Sequence, residues 1–156
     1  MKPLHSAAKG GDEERVKSLL HDENIDVNKK DHGYTALMYA SMEGHSECVR
    51  LLAEARADLN IISDSDGMTS LMYASMEGRS ECVEVLIGAG ADLDVRGYYT
   101  DKTALMWASH REHTACVALL VAHGADRTII SRQGRTACDL AGHGEAGDVI
   151  RKILRE

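Results

Sequence analysis

The chain has 156 residues, 44% of them apolar, with no Phe, five Tyr and one Trp, and a formal net charge of −7. The length fits one domain, and the acidic balance speaks against a nucleic-acid backbone as main partner, because phosphate binding draws on a clustered basic face. No apolar run approaches the roughly 20 residues of a spanning helix, and Met1-Lys2-Pro3-Leu4-His5 lacks the apolar stretch of a secretory leader. The expectation is therefore a cytoplasmic or nuclear protein with reduced cysteines and no membrane contact. A core short of large aromatics and rich in Ala, Leu, Val and Cys points to thin layers stacked closely rather than to one thick core.

The predicted elements recur along the chain. Residues 35–52 read TALMYASMEGHSECVRLL and residues 69–86 read TSLMYASMEGRSECVEVL, identical at fourteen of eighteen positions. Residues 103–120, TALMWASHREHTACVALL, keep the pattern with more drift. Thr35, Thr69 and Thr103 are 34 residues apart, Thr136 follows 33 later, and stepping back 33 from Thr35 reaches Lys2, which opens KPLHSAAKGG. A period of this length marks a repeat architecture. The chain divides into five units, approximately 1–31, 32–65, 66–99, 100–132 and 133–156.

Within a unit, Thr35 is a natural N-cap whose hydroxyl can accept from the free N–H groups of the first turn. Leu37, Ala40 and Ser41 follow at helical spacing, and Gly44 closes the helix, as a residue tolerant of positive φ should. A second helix carries Cys48, Val49, Leu51 and Leu52 on one stripe. Then come the polar turn Ala57-Asp58-Leu59-Asn60 and the pair Asp66-Gly67, which favours a tight hairpin reversal. Neither helix can bury its stripe alone, so the units must stack.

Gly33, Thr35, Leu37, Ala40, Gly44, His45, Val49, Leu51 and Leu52, with Gly90-Ala91-Asp92 and Gly124-Ala125-Asp126 in later units, make a pattern that resembles the ankyrin repeat family. Unit one joins through Pro3-Leu4-His5 and Ala7-Ala8, so the resemblance spans essentially residues 2–155. It implies an all-α ankyrin-repeat solenoid: five helix-turn-helix units with hairpin-like connecting loops. It further implies a protein-interaction module without catalysis or cofactor. Three departures stand out. Met38, Met72 and Met106 replace the family's His, which implies loss of an inter-unit hydrogen bond and of some rigidity. Glu112 takes the turn glycine's place, and Asp101 takes that of the glycine before Thr. The polar Lys9, Asp12, Glu13, Glu14, Arg15 and Lys17 of unit one, and Lys152 in a last helix expected over 148–155, read as the caps a solenoid needs.

The reactive side chains read as structural. Cys48, Cys82 and Cys116 recur every 34 residues, and Cys138 falls at a family Leu position. Helices in successive layers lie about 8–10 Å apart, whereas a disulfide requires Cα atoms within about 7 Å and zinc binds thiolates at about 2.3 Å. The four are expected to be reduced and free of metal. His110 and His113 form half of a metal site with no third ligand nearby, and Gly44-His45-Ser46 begins a nucleophile elbow that Glu47-Cys48 breaks. Gly10-Gly11 leads into acidic residues that repel phosphate.

What is left is surface. In stacks of this family the first helices and the loop tips line a concave groove, and its candidate residues fall into rows. One row is Tyr39, Tyr73 and Trp107; the next is Met42, Met76 and His110; a third is Glu43, Glu77 and Arg111. The tip row is Tyr34, Met68, Lys102 and Arg135, with Tyr98-Tyr99 adding aromatic area beside Lys102. Aromatics, Met and Arg are enriched in interface cores. The expectation is a monomer that binds another protein along this groove, with acidic and apolar surface over units two and three and basic surface over units four and five. One alternative is that Tyr39, Tyr73 and Trp107 only pack against neighbouring helices. Others are that the chain is a structural or regulatory piece of a larger protein, or a consensus-like engineered binder.

Overall fold

The computed structural model describes all 156 residues as ten helices. They are α1 (Pro3–Gly10), α2 (Glu13–Leu20), α3 (Ala36–Glu43), α4 (Ser46–Glu54), α5 (Ser70–Met76), α6 (Ser80–Gly88), α7 (Ala104–His110), α8 (Thr114–Ala122), α9 (Ala137–Leu140) and α10 (Glu145–Arg155). The odd-numbered helices pack in sequence as one layer and the even-numbered ones as a second, each odd helix lying against its own even partner. The fold is an all-α stack of five helix pairs.

The caps work as the sequence predicts. The hydroxyls of Thr35, Thr69, Thr103 and Thr136 accept from the backbone N–H of Met38, Met72, Met106 and Asp139 at 3.3–3.4 Å, which satisfies a donor the first turn would otherwise leave free. Gly44 ends α3 in the left-handed region, at φ 88°. Glu112 occupies the equivalent turn at φ 61° and Asp101 takes its own at φ 54°, so both replacements retain the backbone shape that suits glycine.

One apolar cluster runs the length of the stack from Leu4 to Leu154. Leu37, Leu71 and Leu105 are each 1% exposed, and burial of such a side chain contributes roughly 1.5–3 kcal/mol. Because the same residue type recurs at the same height in three layers, each layer supplies the surface its neighbour needs.

The connecting loops are turns rather than strand hairpins. The one bridge is between Asp31 and Tyr34, and the later tips close through Ser63 N–H to Met68 O (2.9 Å), Gly97 N–H to Lys102 O (3.0 Å) and Ser131 N–H to Arg135 O (2.9 Å). Each tip then donates to the one before: Asp64 N–H to Gly33 O, Tyr98 N–H to Gly67 O and Arg132 N–H to Thr100 O, at 3.0–3.1 Å.

The last unit departs from the expected frame. Ala141 turns to extended backbone (ψ 128°) and cuts α9 to four residues. After Gly144 the chain forms α10 over Glu145–Arg155, three residues earlier than the expected start at Asp148. This helix buries Ile150 and Leu154 and leaves Lys152 in solvent.

The rigidity expected to be lost with the missing histidines is supplied elsewhere. His5 is the one histidine left at that position, and its Nε2–H donates to Lys29 O at 2.8 Å within unit one. Two other ladders cross every layer boundary between units one and four. His45 Nε2–H donates to Lys9 O (3.0 Å), Arg79 Nε–H to Met42 O (3.1 Å) and His113 Nε2–H to Met76 O (3.0 Å). In the polar turns, Asn28 Oδ1 accepts from Asp58 N–H (2.8 Å), Asn60 Oδ1 from Asp92 N–H (3.0 Å) and Asp94 Oδ1 from Asp126 N–H (2.8 Å).

Candidate interaction surface

The candidate rows separate by burial. Tyr73 is 2% exposed and Met68 4%. The Tyr73 hydroxyl donates within a pocket formed by Ser63 Oγ (2.9 Å) and the Asp66 carboxylate. Burial, then the hydrogen bond to Asp66, pushes the Tyr73 hydroxyl far above the ordinary tyrosine range. Tyr39 is 8% exposed, with its hydroxyl directed at Asp31 O (3.5 Å). Tyr34 lies between the two, ring centroids 5.4 Å from Tyr39 and 6.0 Å from Tyr73, and accepts from Ser65 Oγ at 2.6 Å. Tyr39, Tyr73 and Met68 are thus buried in the stack and expose almost no area. The two hydroxyls reach back to the tip that precedes their own helix.

The remaining rows reach solvent. Met42 and Met76 are half-buried, while Glu43 and Glu77 beside them are exposed. Trp107 is half-buried, and His110, Arg111 and Arg135 are exposed. Tyr98 (66% exposed) and Tyr99 (52%) stand off the tip of unit three with rings 5.1 Å apart, edge to face.

The basic end has a definite geometry. Lys102 Nζ sits 4.3 Å from the centroid of the Trp107 ring, within cation–π range. The His110 ring meets the same indole edge-on at 6.4 Å. Burial lowers the Lys102 ammonium pKa, and Arg135 and Arg111 lower it further. Burial also lowers His110, followed by the charges of Lys102, Arg111 and Arg135.

The cysteines are free thiols, with Cys48, Cys82 and Cys116 buried and Cys138 half-buried. Burial pushes each of the first three up to about 11, away from the nucleophilic thiolate. No three His, Cys, Asp or Glu side chains converge on a point where a metal ion could bind. No helix is long and apolar enough to cross a membrane.

A two-layer stack of helix pairs with capped first helices and laddered tips defines a repeat solenoid. A family model described as "Ankyrin repeats (3 copies)" matches residues 4–97, and one described as "Ankyrin repeat" matches residues 100–132. The chain belongs to the ankyrin repeat family, whose members are typically interaction modules without catalysis. It is 46% identical over 59 residues to the human protein "Ankyrin repeat and SAM domain-containing protein 3", a match covering 37% of this chain and 9% of that protein. Over 56 residues it is 46% identical to "Ankyrin repeat domain-containing protein 29" of Danio rerio, covering 35% of this chain and 19% of the relative. Over 58 residues it is 40% identical to "Cortactin-binding protein 2" of Plecturocebus moloch, covering 36% and 4%. The chain thus spans a small fraction of the length of these relatives.

Proposed function

We propose that the protein binds another protein along the face built by the odd-numbered helices and the loop tips, as a non-catalytic adaptor of one folded unit, residues 1–156. The observation that carries this reading is the stripe of half-buried Met42, Met76 and Trp107, flanked on the solvent side by Glu43, Glu77 and Arg111. An apolar line rimmed by charge is the composition of a binding patch. The stripe recurs once per layer, so its spacing suits an extended or helical segment that touches three units in turn. Tyr34, Tyr98, Tyr99, Lys102, His110 and Arg135 extend the same surface at the tips.

Two sets of variants test the reading on any captured partner. Glu43→Lys, Glu77→Lys and Trp107→Ala alter the proposed face, whereas Glu84→Arg and Ala118→Arg alter exposed positions on α6 and α8. Binding weakened by the first set and untouched by the second supports the proposal. The reverse pattern places the partner on the even-numbered helices and overturns it.

A further inference from the structure

The basic end of this face carries charges that the chain itself does not neutralise. In a protein with 25 acidic and 18 basic residues, three cations drawn together with no carboxylate among them make a local excess of positive charge. None of Lys102, Arg111 and Arg135 forms an ion pair. The acid next in sequence to Lys102 is turned elsewhere: the Asp101 carboxylate lies 3.3 Å from Arg132 Nε and 3.9 Å from Arg96. Folding therefore sets Lys102 and His110 against one indole, with Arg111 and Arg135 close enough to act on both, and leaves the mutual repulsion of the three cations unrelieved. The Trp107 N–H likewise has no hydrogen-bond acceptor. Beside the cluster, between the tips of units four and five, a cleft of about 160 Å³ is lined by Tyr99, Thr100, Lys102, Ser131, Arg132 and Gln133.

We infer that units four and five form a receptor for an acidic peptide segment of the partner, whose Asp or Glu carboxylate is held by Lys102, Arg111 and Arg135, with its neighbouring side chain against Trp107 and in the adjoining cleft. The inference rests on the protein-binding reading above and specifies the chemistry of the segment. Guanidinium groups favour carboxylates because both are planar and can pair through two hydrogen bonds. A carboxylate at this point relieves the repulsion among the cations, so its attraction exceeds that of a single surface ion pair, and the part of Lys102 over the indole is shielded from water. Burial is the main cause that lowers Lys102 and His110, and the neighbouring cations lower both further, as a site without a counter-charge does.

Trp107 is the only tryptophan in the chain, so fluorescence excited beyond the tyrosine absorption band reports on this site alone. The full chain is titrated with an end-blocked hexaglutamate peptide, with hexaglutamine and with inorganic phosphate. Hexaglutamate should change Trp107 emission saturably, hexaglutamine should not, and affinity should fall with added salt. Arg111→Glu, at an exposed position, and Lys102→Gln should each weaken hexaglutamate by roughly tenfold or more, with unchanged helical circular dichroism. An unsaturable or absent response to hexaglutamate overturns the inference, as does equal affinity for hexaglutamate in the Arg111→Glu protein. A saturable response to phosphate at the same concentrations also overturns it, since the site would then read a free anion and not a peptide. The titration needs no natural partner, so its failure is told apart from failure of the protein-binding reading, which the partner variants decide separately.

Discussion

The His113 ring lies flat enough against Gly78 that a Cβ on that glycine would stand 2.6 Å from His113 Nδ1, while Nε2–H of the same ring donates to Met76 O at 3.0 Å. His45 against Gly11 repeats the arrangement, and Arg79 against Gly44 substitutes a guanidinium stem for the ring. The turn glycine thus serves two purposes: positive φ in its own unit, and a seat for the side chain that ties down the next.

Gly78→Ala should therefore destabilise the protein more than Gly124→Ala. Both glycines have positive φ, 69° and 87°, but nothing lies within 4 Å of a Cβ on Gly124. The left-handed conformation alone costs a non-glycine residue roughly 1–2 kcal/mol; at Gly78 displacement of the His113 ring adds to it. Urea unfolding of the two variants, and of Gly78→Ala combined with His113→Ala, measures the difference. Equal losses at the two glycines would show that the ring moves aside without cost.

Glu112→Gly should stabilise the protein by about 1 kcal/mol, the penalty a non-glycine residue pays at positive φ. Glu112 holds φ 61°, and its side chain ends over Gly142 of the last unit, where earlier boundaries place a ring or guanidinium on a glycine. The substitution removes strain without exposing a hydrogen-bonded partner. A lower melting temperature for the variant would mean that the contact over Gly142 outweighs the backbone relief.

The repeat period made the helix pairs, the Thr caps and the turn positions legible in the sequence, because each depends on neighbours within a few residues. The ladders depend on residues 30 or more apart and were not. Asn28, Asn60 and Asp94 look like ordinary turn formers until stacking brings Asp58, Asp92 and Asp126 to their side-chain oxygens. Recurrence of a short amide or carboxylate side chain at one position of each unit was the signal available. For the candidate surface, sequence spacing identified which residues share a row but not which row faces solvent. Tyr73 and Trp107 hold the same position, yet Tyr73 is buried by its bond to Asp66 and the packing of Tyr34, whereas unit four offers Trp107 the ammonium of Lys102 instead. The shortened α9 escaped because Ala141 has no helix-breaking character of its own.

His5 should make stability fall on acidification. Its Nε2–H donates to Lys29 O, and its Nδ1 is buried with no partner, so a second proton would face no acceptor. Burial holds its pKa below the usual 6.5 despite that hydrogen bond and the nearby Asp31. The unfolded chain therefore binds more protons than the folded one, and stability rises with pH. The contribution is fully present above about pH 6.5 and is lost as pH falls through the lowered folded value. Melting temperatures of the wild type and His5→Gln, compared between pH 7.5 and 5, should converge toward the acidic end. Parallel curves would show that His5 protonates in the fold without penalty.

Thiol chemistry should resolve the cysteines into one and three. Cys138 is half-buried, while Cys48, Cys82 and Cys116 are at most 1% exposed and pushed up to about 11. Reaction with a disulfide reagent requires both access and thiolate, and the buried three lack both. In native buffer without reductant, one thiol should react promptly, and the other three only at the rate at which the stack opens. In denaturant all four should titrate. Two or fewer in denaturant would reveal a disulfide, contrary to the layer spacing, and prompt reaction of more than one in the native state would mean that the even-numbered helices separate far more readily than their packing implies. Because Cys48, Cys82 and Cys116 sit in α4, α6 and α8, mass mapping of the slow phase reads opening layer by layer. If Glu112 strains the fourth unit, Cys116 should be labelled before Cys82, and Glu112→Gly should close that gap. Labelling of Cys82 first in the wild type would place the weak boundary elsewhere in the stack.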